Sequence, residues 1–390
     1  MSKKHSLEAI ATLVGMTIGA GILAIPYVVA IAGFLTGLLI IVIIGIATII
    51  INLYMGEISL RTKEAHQLTG YAKKYLGKAG NNIMILSMIF GMYGAMVAYI
   101  IKEGEFLSTV FSPIFGGSAL VYSIIFFITA SFLVYKGLEA IEKSELWMVM
   151  LILLIVIIVF IISIPSIRIE HLAQFNIKQI FVPYGVVLFA FLGMAAIPEM
   201  NEELRNNKKG MKKSIIIGSL ISMTVYILFA VVIIGVTGLE NITDGSIIGL
   251  GNILGYKMLV FGIIFGVLTM ATSFIANGLA LKEMYKFDFR LKEPLSSLLI
   301  CFIPLIIAIL IILTRIDNAF FKIIDVTGAV AGGLMGIFVV LMYWKAKELG
   351  DRKPEYSIHK NKIIGFLLIS MFLAGIIYGL LKITNFLLAY

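Results

Sequence analysis

Long apolar runs separated by short polar clusters set the rhythm of this chain from Leu7 onward. Eleven runs read as spans: Leu7 to Ala32, Phe34 to Leu60, Asn82 to Ile101, Gly117 to Tyr135, Leu146 to Pro165, Ile180 to Glu199, Ser214 to Val236, Gly255 to Leu281, Pro294 to Thr314, Ala319 to Trp344 and Ile363 to Leu387. A bilayer core of about 30 Å takes about 20 apolar residues as helix. None of the runs shows the apolar/polar alternation over about ten residues that marks a barrel strand. The pattern therefore predicts an all-α membrane protein with eleven transmembrane helices. Between runs, Arg61 to Asn81 sets Tyr71, Tyr75 and Leu76 among lysines and predicts an interfacial amphipathic helix. The stretch Gly238 to Gly255 predicts a short surface helix or lid. No polar stretch is long enough for a soluble domain, so residues 1–390 read as one transmembrane domain.

Composition agrees. Of the 390 residues 60% are hydrophobic and 14% charged, against about 45–50% and about 25% in soluble domains. The net charge of +9 would suit a nucleic-acid partner, but its distribution argues otherwise. Most Lys and Arg residues fall in alternate loops, which by the positive-inside rule places the N-terminus in the cytoplasm and, with eleven spans, the C-terminus outside the cell membrane. The expected partners are membrane lipid and a small molecule, with no nucleic acid. The first run is long for a signal-peptide core, lacks a small-x-small cleavage site and contains Pro26, so it reads as a retained span. Cys301 is the single cysteine, and His5, His66, His171 and His359 lie in polar segments without metal-ligand spacing.

An odd number of spans suits a duplicated core plus one helix. We divide the chain into inverted repeats at approximately 7–165 and 180–344 and an extra helix at 363–387. Spans one and six then correspond, and each is interrupted by glycine: Gly15, Gly19 and Gly21 in the first, Gly193 within Phe189 to Met194 in the other. Paired interruptions in corresponding positions point to a substrate site at the bilayer midplane. Close helix packing competes with that reading, because Gly15 and Gly19 form a GxxxG pair and similar pairs recur at Gly262/Gly266, Gly328/Gly332 and Gly375/Gly379. Gly21 and Pro26 tilt the balance, since three glycines in seven residues weaken a helix locally.

The runs Gly15 to Tyr27 (GMTIGAGILAIPY), Phe191 to Glu203 (FLGMAAIPEMNEE) and Tyr99 to Leu107 (YIIKEGEFL), with the loop from Glu57 to Gly77, resemble the amino acid permeases of the amino acid/auxin and aromatic amino acid permease group. That group belongs to the amino acid-polyamine-organocation superfamily, of LeuT-type fold. The resemblance spans the chain. It implies that the substrate carboxylate meets the N–H groups of Gly19, Ala20 and Gly21, where a half-helix would present open donors and a positive dipole end. The ammonium would meet carbonyls of Thr17 and of the second break, Phe189, Ala190, Phe191 and Leu192. Side chains of Phe189, Phe191, Met194, Tyr93 and Tyr99 would select a neutral, hydrophobic or aromatic amino acid, although core or lipid packing is an alternative for each ring.

Coupling is the less determined part. Thr269, Thr272 and Ser273 share a helix face, and the resemblance implies a sodium site formed by their hydroxyls with the carbonyls of Gly15 and Ile18. Hydroxyls bonding back along their own helix are the competing reading. Proton-coupled members of that superfamily place a lysine in span five; span five here carries none, so the resemblance implies sodium over a proton. Glu103, Glu105 and Asp325 are the proton alternatives; Glu103 and Glu105 are expected to be solvated beside Lys102, and Asp325 to pair with Lys322. Glu199, Glu202 and Glu203 read as a solvated helix end or an inner gate with Lys3, Lys4 or Lys282. Glu57 receives no role. The expectation is a sodium-coupled symporter of a neutral amino acid with no resident cofactor. A proton-coupled permease or exchanger and a non-transporting sensor stay open. An enzyme is not expected, because no paired acids, metal-binding histidines or Ser/His pair lies at membrane depth.

Overall fold

A computed structural model describes residues 2–136, 139–243, 245–316 and 318–388, and most of them are helical. The first predicted span is two helices, α1 (Ser2–Thr17) and α2 (Gly21–Ala32), which meet at 53° across three non-helical residues. Gly33, at φ 84°, turns the chain into α3 (Phe34–Arg61). Helix α4 (Leu68–Phe115) begins in the predicted interfacial segment and leaves helical geometry once, at Gly77 (φ 73°). That first part is clamped beneath α3, with Tyr71 Oη 3.0 Å from Ser59 Oγ and Tyr75 Oη 2.7 Å from Thr62 Oγ1.

Helices α5 (Ala119–Lys136) and α6 (Glu139–Ser163) follow. The sixth span is again broken: α7 (Tyr184–Ala190), a 3₁₀ turn at Met194–Ala196, then α8 (Ile197–Glu203). Next come α9 (Met211–Thr237), the predicted surface helix α10 (Ile247–Leu254), α11 (Tyr256–Glu283) and α12 (Glu293–Thr314). Helices α13 (Ala319–Thr327) and α14 (Gly333–Leu349) are joined through a π-helical turn, Gly328–Gly332, and α15 (Lys362–Leu388) ends the chain.

Among the described residues nine helices are long and apolar enough to cross a membrane, ten if the bent α1–α2 pair is one span; Ala119–Tyr135 is apolar but shorter. Apolar side chains point outward along the peripheral helices, for example Ile43 and Ile46 on α3, Ile128 and Phe132 on α5, and Ile306 and Leu310 on α12. In a bilayer such faces meet lipid at no cost. The broken sixth span is instead central: 83% of its apolar window is enclosed, against 28% for Leu295–Thr314.

Glu57, on α3, is fully buried. Its carboxylate accepts from Arg61 Nε (2.8 Å), Lys347 Nζ (2.6 Å) and the Ile358 N–H (2.7 Å). Burying this charge is tolerable because cations and donors surround it. It thereby fastens the irregular segment 350–361 across the ends of α3 and α14. Tyr356 adds a bond from its hydroxyl to the Leu53 carbonyl, 2.6 Å.

Candidate functional site

The two breaks lie against each other and one side chain ties them. Tyr226, fully buried on α9, directs its hydroxyl at the carbonyls of Thr17 (2.5 Å) and Ala190 (2.7 Å), and its ring meets Phe191 edge-on at 5.0 Å. Thr17 Oγ1 lies 2.6 Å from Ser222 Oγ, one turn earlier on α9. The glycines explain why the helices come so close. A Cβ on Gly21 would stand 2.6 Å from the Ala190 Cα, and one on Gly19 would stand 2.8 Å from the Ser273 Cβ and 3.2 Å from the Tyr99 hydroxyl. Gly328 packs the same way on α7, where a Cβ would come within 2.7 Å of the Phe189 Cβ.

Helix α2 starts at the first break. The N–H of Gly19 donates to the Thr17 carbonyl at 3.0 Å, while among the described residues no backbone bond starts from the N–H of Ala20 or Gly21. Two of the three expected donors are thus open at a helix N-terminus, where the dipole favours an anion. The carbonyl side differs from expectation. Thr17 and Ala190 already accept from Tyr226, and the Phe189 and Phe191 carbonyls accept from the N–H groups of Leu192 (3.1 Å) and Gly193 (2.8 Å).

A cavity of about 40 Å³ sits between the breaks. At roughly 10–15 Å³ per water it holds a few waters, so a bound amino acid must widen it. The first break lines it with Met16, Thr17 and Gly19, and the second with Phe189, Leu192, Met194 and Ala195. Helix α4 adds Gly91, Met92, Ala95 and Tyr99; Asn277 comes from α11 and Met335 from α14. No lining residue carries a charge.

Six residues expected at the site therefore line the cavity: Thr17, Gly19, Tyr99, Phe189, Leu192 and Met194. Ala20, Gly21 and Ala190 lie behind it in the packed seam. Two expectations are corrected. Phe191 turns away onto Tyr226, and Tyr93 is committed elsewhere, its hydroxyl 2.8 Å from that of Tyr285 and 3.1 Å from the Leu299 carbonyl. Both point to the wrong side of their backbones, since a helix shows each residue only one direction. The heptad spacing of Met92, Ala95 and Tyr99 would have marked the right face of α4. Met335 and Tyr226 carry no local signal.

The residues proposed for an ion are only partly assembled. Ser273 Oγ lies 3.3 Å from the Gly15 carbonyl. Thr269 and Thr272 instead donate back along α11, to the Gly266 (2.9 Å) and Thr269 (2.8 Å) carbonyls. Among the described residues no hydrogen bond joins Ile18 to this group. A hydroxyl that donates backward still offers its lone pairs, so the packing of α1 against α11 at Ser273 is the part of the cluster that tertiary structure creates.

The acids also depart from expectation. Glu103 is fully buried, not solvated, and among the described residues neither of its oxygens has a hydrogen-bond partner. Lys102, equally buried, reaches Glu105 at 2.7 Å and lies over the rings of Phe106 and Phe320 at 5.5 and 5.2 Å. Asp325 pairs with Lys382 of α15, not with Lys322 one turn away. Glu203 accepts from Thr12 Oγ1 at 2.8 Å, so the acidic end of α8 is held against α1. A larger groove of about 700 Å³ lies away from the breaks, between Pro165–Gln174 and Val236–Asn241, on the face opposite the N-terminus. Volume alone does not mark the site; the convergence of two helix breaks does.

Two broken helices facing each other across an uncharged cavity, within a bundle of apolar helices, define a multi-pass membrane protein of the LeuT-type transporter class. The fold matches the crystal structure of MhsT in complex with L-phenylalanine, with a TM-score of 0.75, 17% identity and coverage of 96% of this chain and 98% of that one. Residues 2–380 match the tryptophan/tyrosine permease family, and the chain belongs to that family. Its relatives include tyrosine-specific transport system 1 of Haemophilus influenzae, 27% identical over 87% of this chain and 88% of that protein. Glutamine transporter 2 of Aliivibrio fischeri is 25% identical over 70% of this chain and 73% of its own length.

Proposed function

We propose that this protein is a symporter that carries a neutral, hydrophobic or aromatic L-amino acid across the cytoplasmic membrane by alternating access, driven by sodium. The observation that carries the proposal is the uncharged cavity at the junction of the two helix breaks. The N–H groups of Ala20 and Gly21, with no backbone acceptor among the described residues, lie just behind it and suit a carboxylate once the cavity widens, and the lining suits an apolar side chain. The relatives' substrates, tyrosine and glutamine, are neutral amino acids, as is the phenylalanine bound by MhsT.

In this reading a carboxylate docks on the N-terminus of α2 and the ammonium on carbonyls around the second break, one of which Tyr226 must release. Four methionines, Met16, Met92, Met194 and Met335, line the cavity. Their flexible thioethers let it widen around substrate. Sodium is cargo held by Ser273, Thr269 and Thr272 with the Gly15 and Ile18 carbonyls, hard neutral oxygens that suit such an ion. Spans one, two, six and seven, drawn from both repeats at 7–165 and 180–344, form the bundle that rocks against the remaining scaffold, the extra helix packs outside, and the lysine-rich loops face the cytoplasm.

Radiolabelled uptake into proteoliposomes, with and without a sodium gradient, tests this. Gly19→Leu and Gly21→Leu are expected to abolish uptake in protein that still elutes as a single species. Normal uptake in both variants discards the site, and uptake indifferent to sodium discards the coupling ion. A thermal-shift screen of the twenty amino acids identifies the substrate, since binding to the native state raises its stability.

A further inference from the structure

Glu103 stands apart from the machinery described so far. It is fully buried in α4, one helical turn beyond Tyr99, which lines the cavity. Both carboxyl oxygens lack a hydrogen-bond partner among the described residues. Glu57 shows what this protein provides when a carboxylate is buried charged: two cations and a backbone N–H. Glu103 has none of these.

The ionisable groups on the helices around it are engaged or distant in sequence. On α4 itself, Lys102 points its ammonium at Glu105 and two aromatic rings. The Tyr99 hydroxyl lies beside Ser273 and Asn277. On α5, Tyr122 donates to the Gly116 carbonyl at 2.7 Å. Helix α11 carries its ionisable residues at its ends, Tyr256 and Lys257 at one and Lys282 and Glu283 at the other. Helix α12 offers Cys301, while α13 offers Lys322 and Asp325, the latter paired with Lys382. Tyr343, Lys345, Lys347 and Glu348 of α14 lie at that helix's far end, toward Glu57.

We propose that Glu103 is a proton-binding site whose occupancy is tied to closure of the protein around its substrate. An unpartnered carboxylate in a dry interior is so unfavourable that the group takes a proton instead. The packing seen here therefore accommodates the neutral acid. Any conformation that admits water beside α4 stabilises the anion. Closure then takes up one proton at a Glu103 carboxyl oxygen and opening returns it to water. This rests on the carrier reading above, because it is substrate binding that drives closure.

Purified protein in detergent and weak buffer, titrated with L-tyrosine, L-tryptophan, L-phenylalanine or L-glutamine, tests the proposal by indicator dye and by Kd against pH. Binding is expected to consume up to one proton and to weaken as pH rises, by at most roughly tenfold per unit for a single linked proton. Glu103→Gln, which fixes a neutral side chain in the same place, is expected to bind with no proton uptake and a flat Kd profile. Glu103→Asp is expected to keep both signals. Wild-type binding without proton uptake and with a flat profile overturns the proposal and leaves the carrier reading intact. A wild-type proton signal in Glu103→Gln overturns it equally. If Glu103→Gln aggregates, the wild-type and Glu103→Asp measurements decide. Failure of all four amino acids to bind removes the carrier reading and this proposal together.

Discussion

Replacing Tyr226 by Phe removes one oxygen and leaves the ring in place, so it isolates the tie between the two breaks. The hydroxyl lies 2.5 Å from the Thr17 carbonyl and 2.7 Å from the Ala190 carbonyl, in a fully buried setting. Without it the Thr17 oxygen keeps its bond from the Gly19 N–H, but the Ala190 oxygen loses the hydroxyl in a buried setting. An acceptor stranded in the interior costs about 1–3 kcal/mol. If that energy holds the breaks in register for substrate, Kd rises by roughly 5- to 150-fold. The measurement is equilibrium binding of labelled amino acid to purified protein, beside the melting temperature of the unliganded form. Tyr184→Phe is the comparison, since it removes a hydroxyl bonded to the Met371 carbonyl on α15 (3.2 Å), away from the breaks. It should lower stability while leaving Kd within about twofold. A Tyr226→Phe protein with wild-type Kd and stability refutes the assignment of Tyr226 as the tie.

Gly21→Ala adds a methyl group 2.6 Å from the Ala190 Cα, against a carbon contact of about 3.5–4.0 Å. It should cost about 1–3 kcal/mol as overpacking, seen as a lower unfolding midpoint together with weakened uptake. Glu57→Gln leaves Arg61 and Lys347 largely buried without their counter-charge, and a loss of about 3–5 kcal/mol is expected from denaturant unfolding. Lys74 and the Lys63 N–H both bond the Asp351 carboxylate and hold its pKa below the ordinary carboxylate value. A depressed folded-state pKa contributes stability above the unfolded value, lost as pH falls through the folded one. Protection of segment 350–361 against proteolysis should therefore fall below about pH 4, and Asp351→Asn should show the lower protection at every pH.

Hydropathy alone placed the helices, because a lipid-facing segment must close all its backbone bonds internally and must be apolar along a fixed length. The glycines of spans one and six and the resemblance they carried located both breaks for the same kind of reason: a helix poor in side chains is the one that can be opened. Those features are local, so they are written in contiguous residues. Which way a side chain faces, and what waits for it there, is not. Tyr93 and Tyr99 stand six residues apart on one helix with similar local surroundings, yet one lines the cavity and the other bonds Tyr285 on the far side. Glu103 reads as a surface acid beside Lys102 until α4 is packed among its neighbours, and Asp325 finds its cation on α15, 57 residues away. Tyr226 has no sequence signature at all, since its role exists only where α9 crosses both breaks at once. The chain by itself determined its solvent, its helices and the places where they open. Only tertiary packing decided which polar groups meet a partner and which are sealed in without one, because partners across helices are set by the three-dimensional register of spans far apart in sequence.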